Sequence, residues 1–281
     1  MRKAINVELY RFTKSRYPWI ILLLSVLMMV GTVFVTCEDY HSYMEDPVAL
    51  ENLKASFQQV NWGIYLGSVM PTWCEEKVIP ITELFMRNIQ SKVILMFQTV
   101  FVVLFIGEEI RNNFQKNLSA VFPKKIQQIV GKMFTISVFC AIIYFLNFLV
   151  MLLFFYIHEG YIVMTDIVPF MKYMITEYIL YVAYSIVIMF VAYLIRNSAV
   201  CLLVGVLEAA GILQVVDVLL QSVGLFSESS SIMKYIVSGN IVLLSINSNN
   251  AEYVCAFVIA IVFVILAIAG TLSILEKRDI Y

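Results

Sequence analysis

Charge is scarce in this sequence. Lys, Arg, Asp and Glu make up 14% of its 281 residues, while 61% are apolar and the mean hydropathy is +0.87. An ordinary soluble domain carries about 25% charged residues. Too little polar surface remains to wrap a water-soluble globule, which excludes a cytosolic enzyme and a disordered tail. Histidine is nearly absent. The two present, His41 and His158, fall in separate stretches far apart in the chain, so no catalytic residue and no metal site is expected. The five cysteines are scattered, which excludes a secreted disulfide scaffold. No phosphate-binding loop occurs: Gly131-Lys132-Met133 lacks the first glycine and the hydroxyl of G-x-x-x-x-G-K-[ST]. With no basic domain, nothing supports a nucleic-acid partner. The chain shows no internal repeat and no low-complexity tract.

The apolar residues are gathered into long runs, so lipid is the solvent for much of the chain. A spanning helix needs about 20 mostly apolar residues. Six segments qualify: 18–35, 92–106 with a helical pattern reaching back through Ile89, Phe85 and Leu84 toward Ile81, 133–157, 173–195, 199–220 and 253–274. Apolar residues surround each segment on all sides, as in lipid-immersed helices. The expected fold is all-α, a single polytopic membrane domain with six transmembrane helices. A β-barrel would show shorter, alternating segments.

Six crossings place both termini on one side. That side holds 13 of the 19 basic residues and five acids, whereas the opposite side holds six basic residues and 13 acids. A Lys/Arg excess marks the cytoplasmic face, so both termini are expected inside, in a plasma membrane. The N-terminal stretch reads as a permanent span and not as a cleaved signal, because its charged leader is long and no A-x-A-like site follows. Ahead of the first span, Ile5, Leu9 and Phe12 recur at helical spacing among Lys3, Arg11, Lys14 and Arg16. This pattern predicts an amphipathic helix over residues 1–17 lying in the inner headgroup layer.

Between the spans, residues 36–91 form a large acidic outer loop, and Cys37 and Cys74 are its most natural disulfide pair. Residues 107–132 form a basic inner loop, too long for a turn and too short for a domain, broken at Pro123. It has the size of a docking surface. Residues 221–252 hold two short apolar runs around Ser238-Gly239-Asn240, either a re-entrant dip or a surface loop. The fifth span carries unusual polarity. Glu208 near the bilayer centre costs on the order of 2.5–3.5 kcal/mol by insertion scales, so it is expected to face protein or water, or to be protonated. Gly205 and Ala209 form a small-xxx-small pair that permits close helix approach. Gln214, Asp217 and Gln221 continue as a polar stripe. These six residues are candidates for a translocation path or a dimer interface.

Three local pieces, in order along the whole chain, carry a family resemblance. The opening Glu8-Leu9-Tyr10-Arg11-Phe12 is the first. The inner loop is the second, with Glu-x-x-x-Asn after the second span, Pro123, and Gly131-Lys132 before the third. The tail Glu276-Lys277-Arg278-Asp279-Ile280 is the third. Together they resemble the membrane subunit of ABC-2-type exporters. Where many members have Gly-Thr after the acidic-basic run, this chain has Asn112-Asn113-Phe114. The resemblance implies two permease subunits, identical or paralogous, paired with two separate ATP-binding-cassette ATPase subunits that hold ATP and Mg. It implies that the inner loop docks on the ATPase through Glu108, Glu109, Arg111, Asn113, Lys116, Pro123, Lys124 and Lys132. It further implies a bacterial setting and export of an amphipathic peptide, a bacteriocin or a lipophilic drug. A polytopic scaffold or sensor anchor without transport is the rival reading.

Overall fold

The computed structural model describes residues 1–57, 66–112, 122, 124–164, 166–222 and 231–277, and every regular element among them is helical. In chain order these are α1 (Arg2–Lys14), α2 (Tyr17–Glu45), α3 (Pro47–Phe57), α4 (Pro71–Glu76), α5 (Ile81–Gln90), α6 (Val93–Arg111), α7 (Lys125–Glu159), α8 (Ile167–Ile195), α9 (Ser198–Ala209), α10 (Ile212–Ser222), a 3₁₀ turn at Ile232–Tyr235, α11 (Val237–Leu243) and α12 (Asn250–Lys277). Five helices (α2, α6, α7, α8 and α12) are long and apolar enough to cross a membrane, and α9 with α10 makes a sixth if this pair, bent by 57°, is one span.

Side-chain contacts fix the relative directions. Phe12 at the end of α1 packs on Phe139, Asn147 donates to Ser25 at 3.2 Å, and Phe34 meets His158 farther along, so α2 and α7 run parallel. Helix α6 returns the other way, with Phe105 and Glu109 beside Arg11. Tyr193 reaches Glu109 from the far end of α8, so α8 also ends there. Lys172 near the start of α8 bonds Asn250 at the start of α12, and Gly270 lies against Phe190, so these two helices run parallel. Small residues explain that pairing: Ala256, Ala260, Ala267 and Thr271 form the buried edge of α12. On the bundle's outside, Leu23, Leu27, Phe145, Leu153, Val258 and Ile265 are exposed. Such a continuous apolar belt marks a lipid-facing surface.

Three features depart from the simple picture of uninterrupted spans and outer loops. The segment 81–90, counted in the outer loop although its helical pattern reaches back toward Ile81, is indeed helical; it is a buried helix that continues into α6 after a break at Ser91-Lys92, where Lys92 adopts φ 63°. The fifth span is broken, with Gly211 at φ 87° between α9 and α10. Only glycine takes that conformation readily, and any side chain there would strike Gln214. Finally, the apolar runs around Gly239 fold inward: Val237, Ser238, Gly239, Asn240 and Ile241 are all buried. Gln90 donates to the Leu244 carbonyl at 2.9 Å, anchoring α11 to α5. The inner loop is shorter than expected, because the run 125–132 is the first part of a single 35-residue helix, α7.

Candidate functional site

Four ionisable side chains meet at the end of the bundle where the chain leaves α6 and enters α7. Glu8 and Arg11 stand one turn apart on the face of α1 that packs on α7. Arg11 Nη1 lies 3.1 Å from both Glu8 Oε2 and Glu109 Oε2. Its Nη2 donates to the Phe105 carbonyl at 2.9 Å, and the guanidinium sits 3.9 Å over the Phe105 ring. From α7, Lys132 Nζ reaches Glu8 Oε1 at 3.1 Å and Glu109 Oε2 at 3.2 Å. From α8, Tyr193 donates to Glu109 Oε1 at 3.1 Å. The side chains of Glu8, Glu109 and Lys132 are at most 2% exposed. Two positive and two negative charges balance, which is the condition under which buried charges are tolerated. The quartet, with Tyr193, ties α1, α6, α7 and α8 together where α6 ends and α7 begins.

A second polar centre lies where the interruptions converge. Lys92, at the break between α5 and α6, is buried and donates from Nζ to Gln214 Oε1 at 2.9 Å, just past the break between α9 and α10. Glu208, on the last turn of α9, faces Lys92, Tyr184 and Ser238 of α11. Gly205 lies so close to α6 that a Cβ would come within 2.5 Å of Thr99 Cγ2, and its carbonyl accepts from Tyr184 at 3.2 Å. Two helix breaks and the unbroken α8 therefore bring a lysine, a glutamate, a glutamine and a tyrosine together inside an otherwise apolar bundle. Interrupted helices leave backbone groups unpaired at their ends. Polar side chains gathered at such breaks are the arrangement from which transport proteins build substrate sites. A left-handed non-glycine residue such as Lys92 is also a mark of local strain.

The candidates named from the sequence divide cleanly. Gly205, Glu208, Ala209 and Gln214 all belong to the broken-helix centre, with Ala209 and Gly205 on the buried edge of α9. Asp217 serves a neighbouring structural purpose: it accepts from Ser231 Oγ at 2.6 Å, the Ile232 amide at 2.9 Å and Gln221 at 3.2 Å, and so caps the 3₁₀ turn. Among the inner-loop candidates, Glu109 and Lys132 are in the buried quartet. Glu108 is half-buried beside Tyr17, and Arg111 and Lys124 are exposed. Asn113, Lys116 and Pro123 lie outside the described residues, as do Arg278, Asp279 and Ile280 of the tail. Sequence reasoning missed Lys92, Glu8 and Arg11 as site residues; their partners lie 94 or more positions away, and only the i, i+3 spacing of Glu8 and Arg11 hinted at a shared face.

Cys37 and Cys74 are buried free thiols, as are Cys140 and Cys201; Cys255 is free and exposed. The proposed Cys37–Cys74 bridge is therefore not formed. Burial raises the Cys74 thiol above its ordinary pKa, which leaves little thiolate to react at neutral pH. The two histidines, far apart in the chain, meet in space. His41 Nε2 and His158 Nδ1 lie 3.0 and 2.9 Å from the same oxygen of Glu159, because the parallel course of α2 and α7 brings their far ends together.

No family model, no curated protein and no solved structure matches the chain.

Proposed function

We propose that this chain is the permease subunit of an ATP-driven exporter of the ABC-2 type, which lines a translocation path with a second permease subunit and is driven by two separate ATPase subunits. The observation that carries the reading is the buried quartet of Glu8, Arg11, Glu109 and Lys132. It joins the helices on both sides of segment 112–124 to α1 and α8. Force applied at the end of α6 or the start of α7 is thus delivered to α1, α6 and α7 together, and through Tyr193 to α8. The chain's lack of a phosphate-binding loop fits a source of work on another polypeptide.

In this reading the basic end of the bundle is cytoplasmic and both termini lie inside. Helix α1 rests at the inner interface, with Ala4, Glu8 and Phe12 turned to the protein and Arg2, Lys3 and Lys14 exposed toward lipid headgroups. The exposed Arg111 and Lys124 meet the ATPase, while Glu109 and Lys132 transmit its motion. ATP hydrolysis shifts the packing only if the ATPase binds the two arrangements with different affinity. The broken-helix centre around Lys92 and Glu208 is the element that yields, and the cargo is an amphipathic peptide or a lipophilic drug.

The test is whether a neighbouring gene encodes an ATPase with the phosphate-binding loop that this chain lacks, followed by co-expression of the two. The expected result is co-purification, and loss of cargo-stimulated ATP hydrolysis on Arg111→Glu and Lys124→Glu in a complex that still assembles as a folded permease. A permease that recruits no ATPase, and whose deletion leaves peptide and drug tolerance unchanged, would establish the scaffold or sensor reading instead.

A further inference from the structure

At the end of the bundle opposite the buried quartet, α2 and α7 finish side by side. Cys37 and His41 stand four residues apart on α2, which places them on one face of that helix. His158 and Glu159 form the last turn of α7, which ends at Gly160 in the left-handed conformation. The ligand atoms of Cys37, His158 and Glu159 all lie within 4.8 Å of one another. His41 Nε2 approaches the same Glu159 oxygen at 3.0 Å, and Glu38 Oε1 lies 3.7 Å from the free nitrogen of His158.

We infer that Cys37, His158 and Glu159 form a transition-metal site, with zinc as the fitting ion and His41 beside it to complete or orient the ligand set. The chemistry is selective. One thiolate, one or two imidazoles and one carboxylate form the mixed sulfur, nitrogen and oxygen donor set that zinc takes, whereas calcium and magnesium take oxygen alone. The spacing also fits. Ligand atoms at about 2.0–2.3 Å from zinc lie about 3.3–3.6 Å apart in a tetrahedron, so the 2.9 Å contact between His158 and Glu159 must open by about 0.5 Å while the longer edges, all within 4.8 Å, close by about 1 Å at most. Access is open on one side and closed on the other: His41 is 52% exposed and His158 24%, while Cys37 is fully buried. An ion can enter from the water side and meet a thiol held inside.

Two histidines share one carboxylate oxygen, and metal binding would use the Cys37 thiolate, with release of its proton, and neutral imidazoles. Because the ligands come from α2 and α7, a bound ion would staple these two helices at the end away from the segment proposed to receive mechanical work. Neither the quartet nor the exporter reading is needed for this site.

The experiment uses the full-length, untagged protein in detergent micelles, stripped with chelator and then titrated with zinc and, separately, with cobalt. The expected result is one zinc per chain. X-ray absorption at the zinc edge should show one sulfur at about 2.3 Å and lighter ligands at about 2.0–2.1 Å. Cobalt should give a thiolate charge-transfer band that disappears in Cys37→Ser. Affinity should fall at least about 100-fold in Cys37→Ser and His158→Ala, and about 10–100-fold in His41→Ala. No uptake by the wild-type protein, or bound zinc without a sulfur neighbour, would overturn the proposal. So would uptake unchanged in Cys37→Ser and His158→Ala. The wild-type absorption spectrum decides the matter even if a variant fails to fold.

Discussion

Replacing Lys132 by methionine keeps most of the side chain's volume and removes its charge. Lys132 Nζ lies 3.1 Å from Glu8 and 3.2 Å from Glu109. At an effective dielectric constant of about 20, each contact is worth about 5 kcal/mol of gross attraction. Repulsion from Arg11, which shares both carboxylates, and the cost of removing four charges from water offset much of this. What remains is the penalty for stranding a negative charge among buried groups, about 3–5 kcal/mol. Lys132→Met should therefore destabilise the folded protein by that amount. Glu109→Gln should cost a similar amount by leaving a positive excess. The double variant restores neutrality, so its loss should fall short of the sum of the single losses by about 1–3 kcal/mol. Unfolding by SDS titration in mixed micelles, followed by tryptophan fluorescence and helicity, measures all three. Additive losses, or a Lys132→Met change below about 1 kcal/mol, would show that the quartet is not a coupled unit and remove the mechanical link proposed for it.

Three further outcomes follow from other contacts. Gly205→Ala should destabilise the bundle by about 1–3 kcal/mol through overpacking against the Thr99 methyl, and adding Thr99→Ser, which deletes that methyl and keeps the hydroxyl, should recover much of the loss in the same assay. Asp217→Ala removes the acceptor of three hydrogen bonds and should cost about 1–2 kcal/mol by analogy with lost helix caps, with faster proteolysis near residues 231–235 as its signature. In the native protein a small maleimide should modify Cys255 first, and Cys37, Cys74, Cys140 and Cys201 only after denaturation; mass spectrometry of quenched samples counts the adducts.

The apolar runs were legible because they are a property of the chain in one dimension. Length and hydropathy mark where a helix can be solvated by lipid, and α2, α7, α8 and α12 contain the segments so marked. Where those helices break was not legible. Lys92 reads as a basic residue at the outer end of the second span, yet it turns the chain between two buried helices and bonds a residue 122 positions away. Glu208 and Gly205 announced themselves, the one as a charge in an apolar run and the other as a small residue at helical spacing from Ala209. Glu8 and Arg11 entered the charge balance, the N-terminal helix and the family resemblance but not a site, because their partners are on α6 and α7. The histidines mislead in the same way. His41 and Glu159 are 118 positions apart, and only the parallel packing of α2 and α7 joins them. The Cys37-x-x-x-His41 spacing was the one local signal, and it carries no meaning until a second pair of ligands is placed beside it.

The exporter reading stands on the sidedness of the segment between α6 and α7. Arg111 and Lys124 are exposed at its two ends, so each can be replaced by cysteine in a background lacking Cys255, without disturbing the buried quartet. A membrane-impermeant maleimide is then applied to intact spheroplasts and to inverted vesicles from the same expression host. The expected result is labelling of both positions in inverted vesicles and protection in spheroplasts. Labelling in intact spheroplasts would put the segment on the outer face, where no ATPase could reach it, and would contradict the proposed function directly.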